Sequence, residues 1–222
     1  MPRGLVNLPL FAKLSECVCR VLGTNPSAFT LQGTNTYLIG TGSQKILLDT
    51  GEGKPEYIRL LAESLKTLGD NVHITDILIS HWHLDHVGGV DDILEYYAQN
   101  NLTLPRVHKR LEARHDNPHH QTIFNQIEDN QIFRTEGATI QAIYTPGHCE
   151  DHLAFYLKEE NALFTGDSLL GQGTTVFENL GKYIDSLKRM QRLLPGRLYP
   201  GHGPVVEDGK AKIREYLDHR MA

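Results

Sequence analysis

The decapeptide SHWHLDHVGG, residues 80 to 89, places His81, His83, Asp85 and His86 within six positions. In an extended chain, residues two apart point the same way. His81 and His83 leave the apolar run ITDILIS with that spacing, so their rings converge on one point while Trp82 points elsewhere. Asp85 and His86 fall where the chain turns toward Gly88-Gly89, and the turn aims them at a second point a few ångströms away. The two glycines let the chain leave without crowding that space. Imidazole suits zinc or iron, and carboxylate adds the negative charge that holds a divalent pair.

Three further residues of ligand type follow, each at the end of an apolar strand-like run. His148 stands in YTPGH, Asp167 in LFTGD and His202 in YPGHG. Strand ends and the loops after them are where α/β proteins put their chemistry. Five histidines and two aspartates exceed the four ligands of one tetrahedral zinc and match two metals sharing a carboxylate. Any one of these histidines alone would read as an ordinary surface or core residue. Their coincidence with the strand pattern argues otherwise.

The elements that must position them alternate. CVCRVL, NTYLIG and KILLDTG read as early strands, separated by turn-rich GTNPSA and GTGSQ. PEYIRLLAESLKTLG carries Ile58, Leu61, Leu65 and Leu68 at helical spacing, with Pro55 at its start and Gly69 at its stop. VDDILEYYAQN reads as a second helix. Residues 106–130 are polar, partly basic and rich in turn formers, and read as a surface excursion with one short helix. Strands resume in ATIQAIYTPG, HLAFYLKE and NALFTGDS. ENLGKYIDSLKRMQRLL is an amphipathic helix, entered through a T-x-x-E capping box of Thr175 and Glu178. RLYPGHGPVV follows, and GKAKIREYLDHRMA closes the chain as a helix. One domain over residues 1–222 is the expected organisation.

Bulk composition narrows the class. A net charge of −5 does not announce a nucleic-acid binder, although a local basic patch would suffice for one. Arg106, His108, Lys109, Arg110 and Arg114 form such a cluster, interspersed with Glu112 and Asp116. Cys17, Cys19 and Cys149 are too few for a disulfide framework and point to a reducing compartment, cytoplasm or mitochondrial matrix. Cys149 adjoins His148 but has no free base beside it, so it reads as a packing residue rather than a nucleophile. No run approaches the length of a membrane span. The first sixteen residues form a poor mitochondrial presequence and read better as a short arm.

H-x-H-x-D-H followed by single His, Asp and His on later strand ends resembles the metallo-beta-lactamase superfamily. NPSAFTLQGTNTYLIGTG, LLDTG, TEGATIQAIYTPGH, ENALFTGDSLLGQGTTVFE and YPGHGPV are similar to its beta-lactamase-like protein 2 branch, and equally to fungal thioesterases that release polyketides from carrier protein. The likeness runs from about Arg20 to the end. It implies an α/β fold, the four-layer αββα sandwich, with a dinuclear metal site at the sheet edges. By that resemblance His81, His83 and His148 hold one metal, Asp85, His86 and His202 the other, and Asp167 bridges them. Two zinc ions per chain are implied, with manganese or iron as alternatives. Asp49 in LLDTG orders the ligand loop, and Asp85 also accepts or passes a proton. Thr34 and Asn35, turn residues by type, become pocket-rim residues, as does Thr174. Backbone amides at Gly171, Gly173 and Thr174 pass close enough to touch an anionic substrate.

Two divalent metals lower the pKa of a shared water and stabilise the oxyanion that develops, so hydroxide is the nucleophile expected. The branch resemblance implies an endoribonuclease on single-stranded RNA, with the basic cluster meeting phosphates. The alternative is a thioesterase on carrier-bound or coenzyme A-bound acyl chains. A non-hydrolytic iron enzyme or a metal-binding scaffold comes third, since all seven ligand positions are filled. Relatives of this branch continue beyond the position of Ala222, so their C-terminal extension is expected to be absent here. Of the other histidines, His73, His108, His115, His119, His120 and His219 are expected in solvent. His152 is a candidate to support the metal ligands.

Overall fold

The computed structural model describes residues 4–116 and 123–221. His119 and His120, and Arg3 of the presequence-like arm, lie outside these. Seven strands form the first sheet in chain order: β1 (Phe11–Lys13), β2 (Val18–Leu22), β3 (Asn35–Ile39), β4 (Gln44–Leu48), β5 (His73–Ile79), β6 (Arg106–Lys109) and β7 (Phe124–Gln126). Pairing is antiparallel up to β4 and parallel from β4 to β7. The second sheet runs in the order β12 (Arg197–Pro200), β11 (Ala162–Gly166), β10 (Leu153–Leu157), β9 (Ala138–Tyr144), β8 (Ile132–Thr135). There only β11 and β12 are parallel.

Three apolar layers hold these parts together. Between the sheets, Val18, Tyr37, Ile39, Leu48 and Leu78 meet Ile140, Phe155, Phe164 and Tyr199. The rings of Tyr37 and Phe164 cross edge to face with centroids 5.1 Å apart, a favourable aromatic geometry. Helices α1 (Pro55–Leu68) and α3 (Val90–Gln99) cover the outer face of the first sheet, with Leu61, Leu65, Ile93 and Tyr97 against Leu47, Ile77 and Val107. Helices α4 (Leu180–Arg192) and α5 (Gly209–Met221) cover the second sheet through Tyr183, Leu187, Met190, Ile213 and Leu217. The fold is therefore the αββα sandwich. Because both faces of each sheet are covered, β2, β3 and β11 are buried at every position and their sequences are near-continuous rather than alternating.

Three expectations require correction. Within residues 106–130, of which 117–122 lie outside the described residues, 106–109 and 124–126 are not a surface excursion but strands β6 and β7 of the first sheet, with Val107, His108 and Lys109 buried. Arg-Val-His-Lys shows one apolar residue in four, and its polar side chains reach internal partners, so no hydrophobic period signals the strand. Phe11–Lys13, read as part of an arm, pairs with β2. Helix α4 is capped by Asn179, whose Oδ1 accepts from Lys182 N at 3.0 Å. Thr175 lies too far upstream to cap it and sits instead beside His148.

Candidate metal centre

The parallel strands bring their C-terminal ends to one edge. Asp49 follows β4, Ser80 and His81 follow β5, Asp167 follows β11 and His202 follows β12. The short helix α2 (Leu84–Val87) begins directly after His83 and presents Asp85 and His86 toward the same edge. Gly89 then lies so close to the end of β4 that a Cβ there would sit 2.1 Å from the Thr50 carbonyl. The glycine is thus demanded by the neighbouring strand-end loop, not by space for metals. Gly201 does serve the site directly, for a Cβ there would meet Asp167 Oδ1 at 2.5 Å.

Two groups of ligand atoms result. His81, His83, His148 and Asp167 form one, Asp85, His86 and His202 the other, each with its donor atoms within 4.8 Å of one another. In the first group His83 Nδ1 lies 2.9 Å from His81 Nε2 and 3.0 Å from His148 Nε2. Hydrogen bonding cannot explain both contacts. His148 Nδ1 donates to the Val176 carbonyl at 2.8 Å. Ser80 Oγ donates to Asp49 Oδ2 at 2.8 Å, so it accepts from His81 Nδ1 at 2.9 Å. Each ring therefore carries its proton on Nδ1 and turns the Nε2 lone pair inward. One proton on His83 could satisfy only one of them, whereas a shared cation satisfies all three. Burial favours this state: it holds His81 well below the ordinary histidine range and takes His83 down to about 4.

The second group is more acidic. His86 Nδ1 donates to Asp49 Oδ2 at 2.8 Å, and its Nε2 faces Asp85 Oδ2 at 3.2 Å and Asp167 Oδ1 at 3.3 Å. His202 Nε2 stands at the same 3.2 and 3.3 Å from these two oxygens. Edges of a tetrahedron around an ion with ligand bonds near 2.0–2.1 Å measure about 3.4 Å. His86 Nε2 and Asp167 Oδ1 are buried without a hydrogen-bond partner. Burial alone would depress His86, but Asp85, Asp167 and Asp49 override it and hold the ring well above its ordinary value. Burial likewise opposes protonation of His202, yet Asp167 and Asp85 raise it to about 9. These carboxylates demand a positive charge at this point, which a proton or a metal ion supplies. Asp167 faces both groups, Oδ1 toward His86 and His202, and Oδ2 toward His148 at 3.8 Å. The donors present thus fit a pair of divalent ions.

Supporting residues fall where the motif reading placed some and missed others. Asp49 anchors Ser80 N and Oγ as well as His86, which ties the end of β4 to the ligand run. His152 is fully buried. Its Nε2 accepts from Asp167 N at 3.2 Å and its Nδ1 pairs with Thr145 Oγ1 at 2.9 Å. Thr34 Oγ1 donates to Asp85 Oδ2 at 3.1 Å, held by Asn25. Asn35 does not line the pocket. It donates Nδ2 to the carbonyls of Pro200 and Gly203, fixing the His202 turn. Thr174 and Gly173 line the mouth, whereas the Gly171 amide is occupied by the His202 carbonyl at 2.9 Å. Ser80 was invisible to sequence reasoning, because a serine at a strand end carries no signal of its own.

The basic cluster is split: His108 and Lys109 are buried, whereas Arg106 and Arg114 are exposed and Arg110 is half-buried. Arg106 and His108 pair with Asp76, at 2.9 Å each, so His108 is not in solvent. Arg110 lies over the Tyr144 ring at 3.9 Å, and Lys109 is buried between Asp116 and Asp151. His115 stacks flat on Trp82 with centroids 4.0 Å apart. Cys149 is fully buried, and burial with the nearby Asp151 carboxylate drives its thiol far up, consistent with packing. A cavity of about 430 Å³ opens on the metal groups. Phe29, Leu31, Leu170 and Val176 contribute its apolar wall, with Gln172 and Thr175 beside them. No lysine or arginine lines it among the described residues.

The metallo-beta-lactamase superfamily model matches residues 29–202. The chain is 46% identical over 220 residues to the beta-lactamase-like protein 2 homolog of Caenorhabditis elegans, covering 98% of this chain and 72% of that one. It is 46% identical over 217 residues to the atrochrysone carboxyl ACP thioesterase nsrC of Aspergillus novofumigatus, covering 98% and 63%. The lactamase-like protein nscB of Arthroderma gypseum matches at 45% over 98% and 65%. A metallo-beta-lactamase family protein from Thermus thermophilus superposes with a TM-score of 0.72 at 22% identity, over 94% of this chain and 81% of that one. The chain belongs to the metallo-beta-lactamase superfamily. It spans less than two thirds of the length of these fungal relatives. No helix among the described residues is long and apolar enough to cross a membrane.

Proposed function

We propose that this chain hydrolyses acyl thioesters with two divalent metal ions. The seven converging donors carry the metal part of the reading. His81, His83 and His148 would hold one ion, Asp85, His86 and His202 the second, and Asp167 would contact both. Zinc suits this mixture of imidazole and carboxylate, and manganese or iron(II) are accommodated by the same donors. Such a pair, when bound, supplies Lewis acidity at the bond attacked and a nucleophile from water at neutral pH. The remaining chemistry belongs to side chains. Asp85 directs Oδ2 to His86, His202 and Thr34, which leaves Oδ1 to accept a proton and pass it to the leaving group. Asp49, Ser80 and His152 hold their partners in one tautomer and orientation.

The cavity wall carries the substrate part. Phe29, 84% exposed, and Val176, 68% exposed, flank the metal groups with apolar surface. The absence of lining cations among the described residues suits an uncharged thioester carbonyl with an apolar acyl group on a carrier or on coenzyme A. The thioesterase name of the Aspergillus novofumigatus relative agrees with this. A second reading, endoribonuclease action on single-stranded RNA, draws on the Phe29 ring, since an exposed aromatic beside a hydrolytic centre can stack a base. Of the basic cluster, only its exposed arginines, Arg106 and Arg114, and the half-buried Arg110 remain to meet phosphates, and none of them lines the cavity.

Metal analysis with parallel assays decides among these. Two ions per chain and release of free thiol from acyl thioesters, abolished by chelation, are expected. Cleavage of single-stranded RNA with no thiol release would replace the thioester reading by the nuclease one. One iron and no zinc per chain would overturn the two-ion hydrolase altogether.

A further inference from the structure

Lys109, at the end of β6, is 1% exposed, yet its ammonium is engaged on three sides. Nζ lies 2.7 Å from Asp116 Oδ2, 2.8 Å from Asp151 Oδ2 and 3.1 Å from the Arg110 carbonyl. The Asp151 side chain is completely buried and also accepts from Cys149 Sγ at 3.2 Å. Asp151 belongs to the turn His148-Cys149-Glu150-Asp151-His152, which joins β9 to β10 in the second sheet. Lys109 belongs to the first. The ion pair therefore crosses the sandwich and ends between His148, a donor of the first metal group, and His152, which orients Asp167.

A buried ammonium between two carboxylates is an expensive way to hold a fold, since apolar residues of similar volume often stabilise as well or better. What charge adds is a fixed position. The His148 turn is also tethered by His148 Nδ1 on the Val176 carbonyl and by the Glu178 amide on the Gly147 carbonyl. Both lie on the 171–178 segment, which belongs to the same half of the molecule. The Lys109 bond and the Leu153 amide on the Ser80 carbonyl, at 2.8 Å, tie this region to the half that carries His81 and His83. The first metal group straddles that divide, with two histidines on one side and one on the other. In the second group Asp85 and His86 face His202, whose turn is held to the first sheet independently by the Asn35 bonds to Pro200 and Gly203 and the Asn35 amide on Gly201.

We propose that Lys109 is a positioning residue that sets His148 against His81 and His83, and thereby the affinity of the first metal group far more than that of the second, which the turn reaches only indirectly, through His152 and Asp167. The inference rests on the two-ion reading above. Replacing Lys109 leaves Asp116 and Asp151 in a buried space without the ammonium between them. Their repulsion moves the turn, and His148 Nε2 leaves its place 3.0 Å from His83 Nδ1.

The test is zinc binding to the full chain, with the metal-free wild-type protein as reference. Lys109→Met should retain one tightly bound zinc and weaken the other by at least tenfold. Amide hydrogen exchange in residues 145–152 of the metal-free protein should quicken, while that of 200–204 stays unchanged. Should Lys109→Met fail to fold, Asp151→Ala removes the same tether while leaving the Lys109–Asp116 pair intact, and should give the same selective loss. Two zinc ions at wild-type affinity in both variants would overturn the proposal. So would equal weakening of both ions in a folded variant. A wild-type chain that binds fewer than two ions would refute the two-ion reading instead, and the exchange result would still report on the tether.

Discussion

Asp49 Oδ2 receives the Nδ1 proton of His86 at 2.8 Å, and both side chains are almost wholly buried. The same carboxylate takes hydrogen bonds from Ser80 N and Ser80 Oγ. One aspartate outside both donor groups thus orients a ring in each of them, His86 directly and His81 through Ser80. Such partners typically change metal affinity by about 10–100-fold. Asp49→Ala should weaken zinc binding by about that factor, at both ions rather than one, with hydrolysis falling in step. Competition with a chromogenic chelator measures it. Unchanged affinity in a folded variant would refute this role.

Asp167 is the side chain shared by the two groups. Asp167→Ala should lose at least one ion per chain and lower kcat by roughly a thousandfold or more, as expected when a two-metal clamp is broken. The loss must affect thiol release and any RNA cleavage alike. A variant that retained either activity would show that the retained activity comes from elsewhere.

The apolar mouth distinguishes the substrate readings kinetically. Phe29 is exposed, so Phe29→Ala should leave the melting temperature within a degree or two. For long acyl thioesters KM should rise roughly tenfold with kcat preserved, the pattern of lost uniform binding, equivalent to about 1.5 kcal/mol of apolar contact. The effect should fade as the acyl chain shortens. Equal KM for short and long chains in wild type and variant would remove Phe29 from the substrate path.

Acid stability should depend on Asp76. Burial opposes its ionisation, but hydrogen bonds from His108 and Arg106 prevail and bring its carboxyl to about 2, below the ordinary value of 3.8. A depressed carboxylate contributes stability above its unfolded pKa, and that contribution is lost as pH falls through the folded one. The window runs from about pH 4 down to about 2. Asp76→Asn should lower stability near neutrality by roughly 2 kcal/mol and flatten the decline across that window. Denaturant titrations at several pH values would show it. Parallel acid limbs for the two proteins would count against the pair.

The start of α4 offers a local check. Asn179→Ala should cost about 1 kcal/mol, the usual value of a lost N-cap, whereas Thr175→Ala should not fray the helix. Thermal melts of the two variants distinguish the assignments.

Much of this was legible in the chain itself. Ligand type is a property of single residues, and the H-x-H-x-D-H spacing follows from local backbone geometry, so one half of the centre could be read from ten residues. His148, Asp167 and His202 were legible because each closes an apolar run in a glycine turn. The same apolar runs marked most of the strands and the covering helices, and the family resemblance supplied their arrangement as two sheets. Tertiary structure alone decided the rest, because it depends on what meets across the chain. Residues 106–109 look like a basic surface stretch, and only the partners Asp76, Asp116 and Asp151 let His108 and Lys109 be buried in a strand whose first residue, Arg106, stays exposed. Thr175 looks like a cap until Asn179 is seen in its place. The wall of Phe29, Leu31, Leu170 and Val176 is assembled from two segments about 140 residues apart, and no local pattern announces a surface made by such distant pieces. The metal-binding pattern is therefore written in local spacing, whereas the cavity wall that any substrate would meet is set by long-range packing around the donor groups.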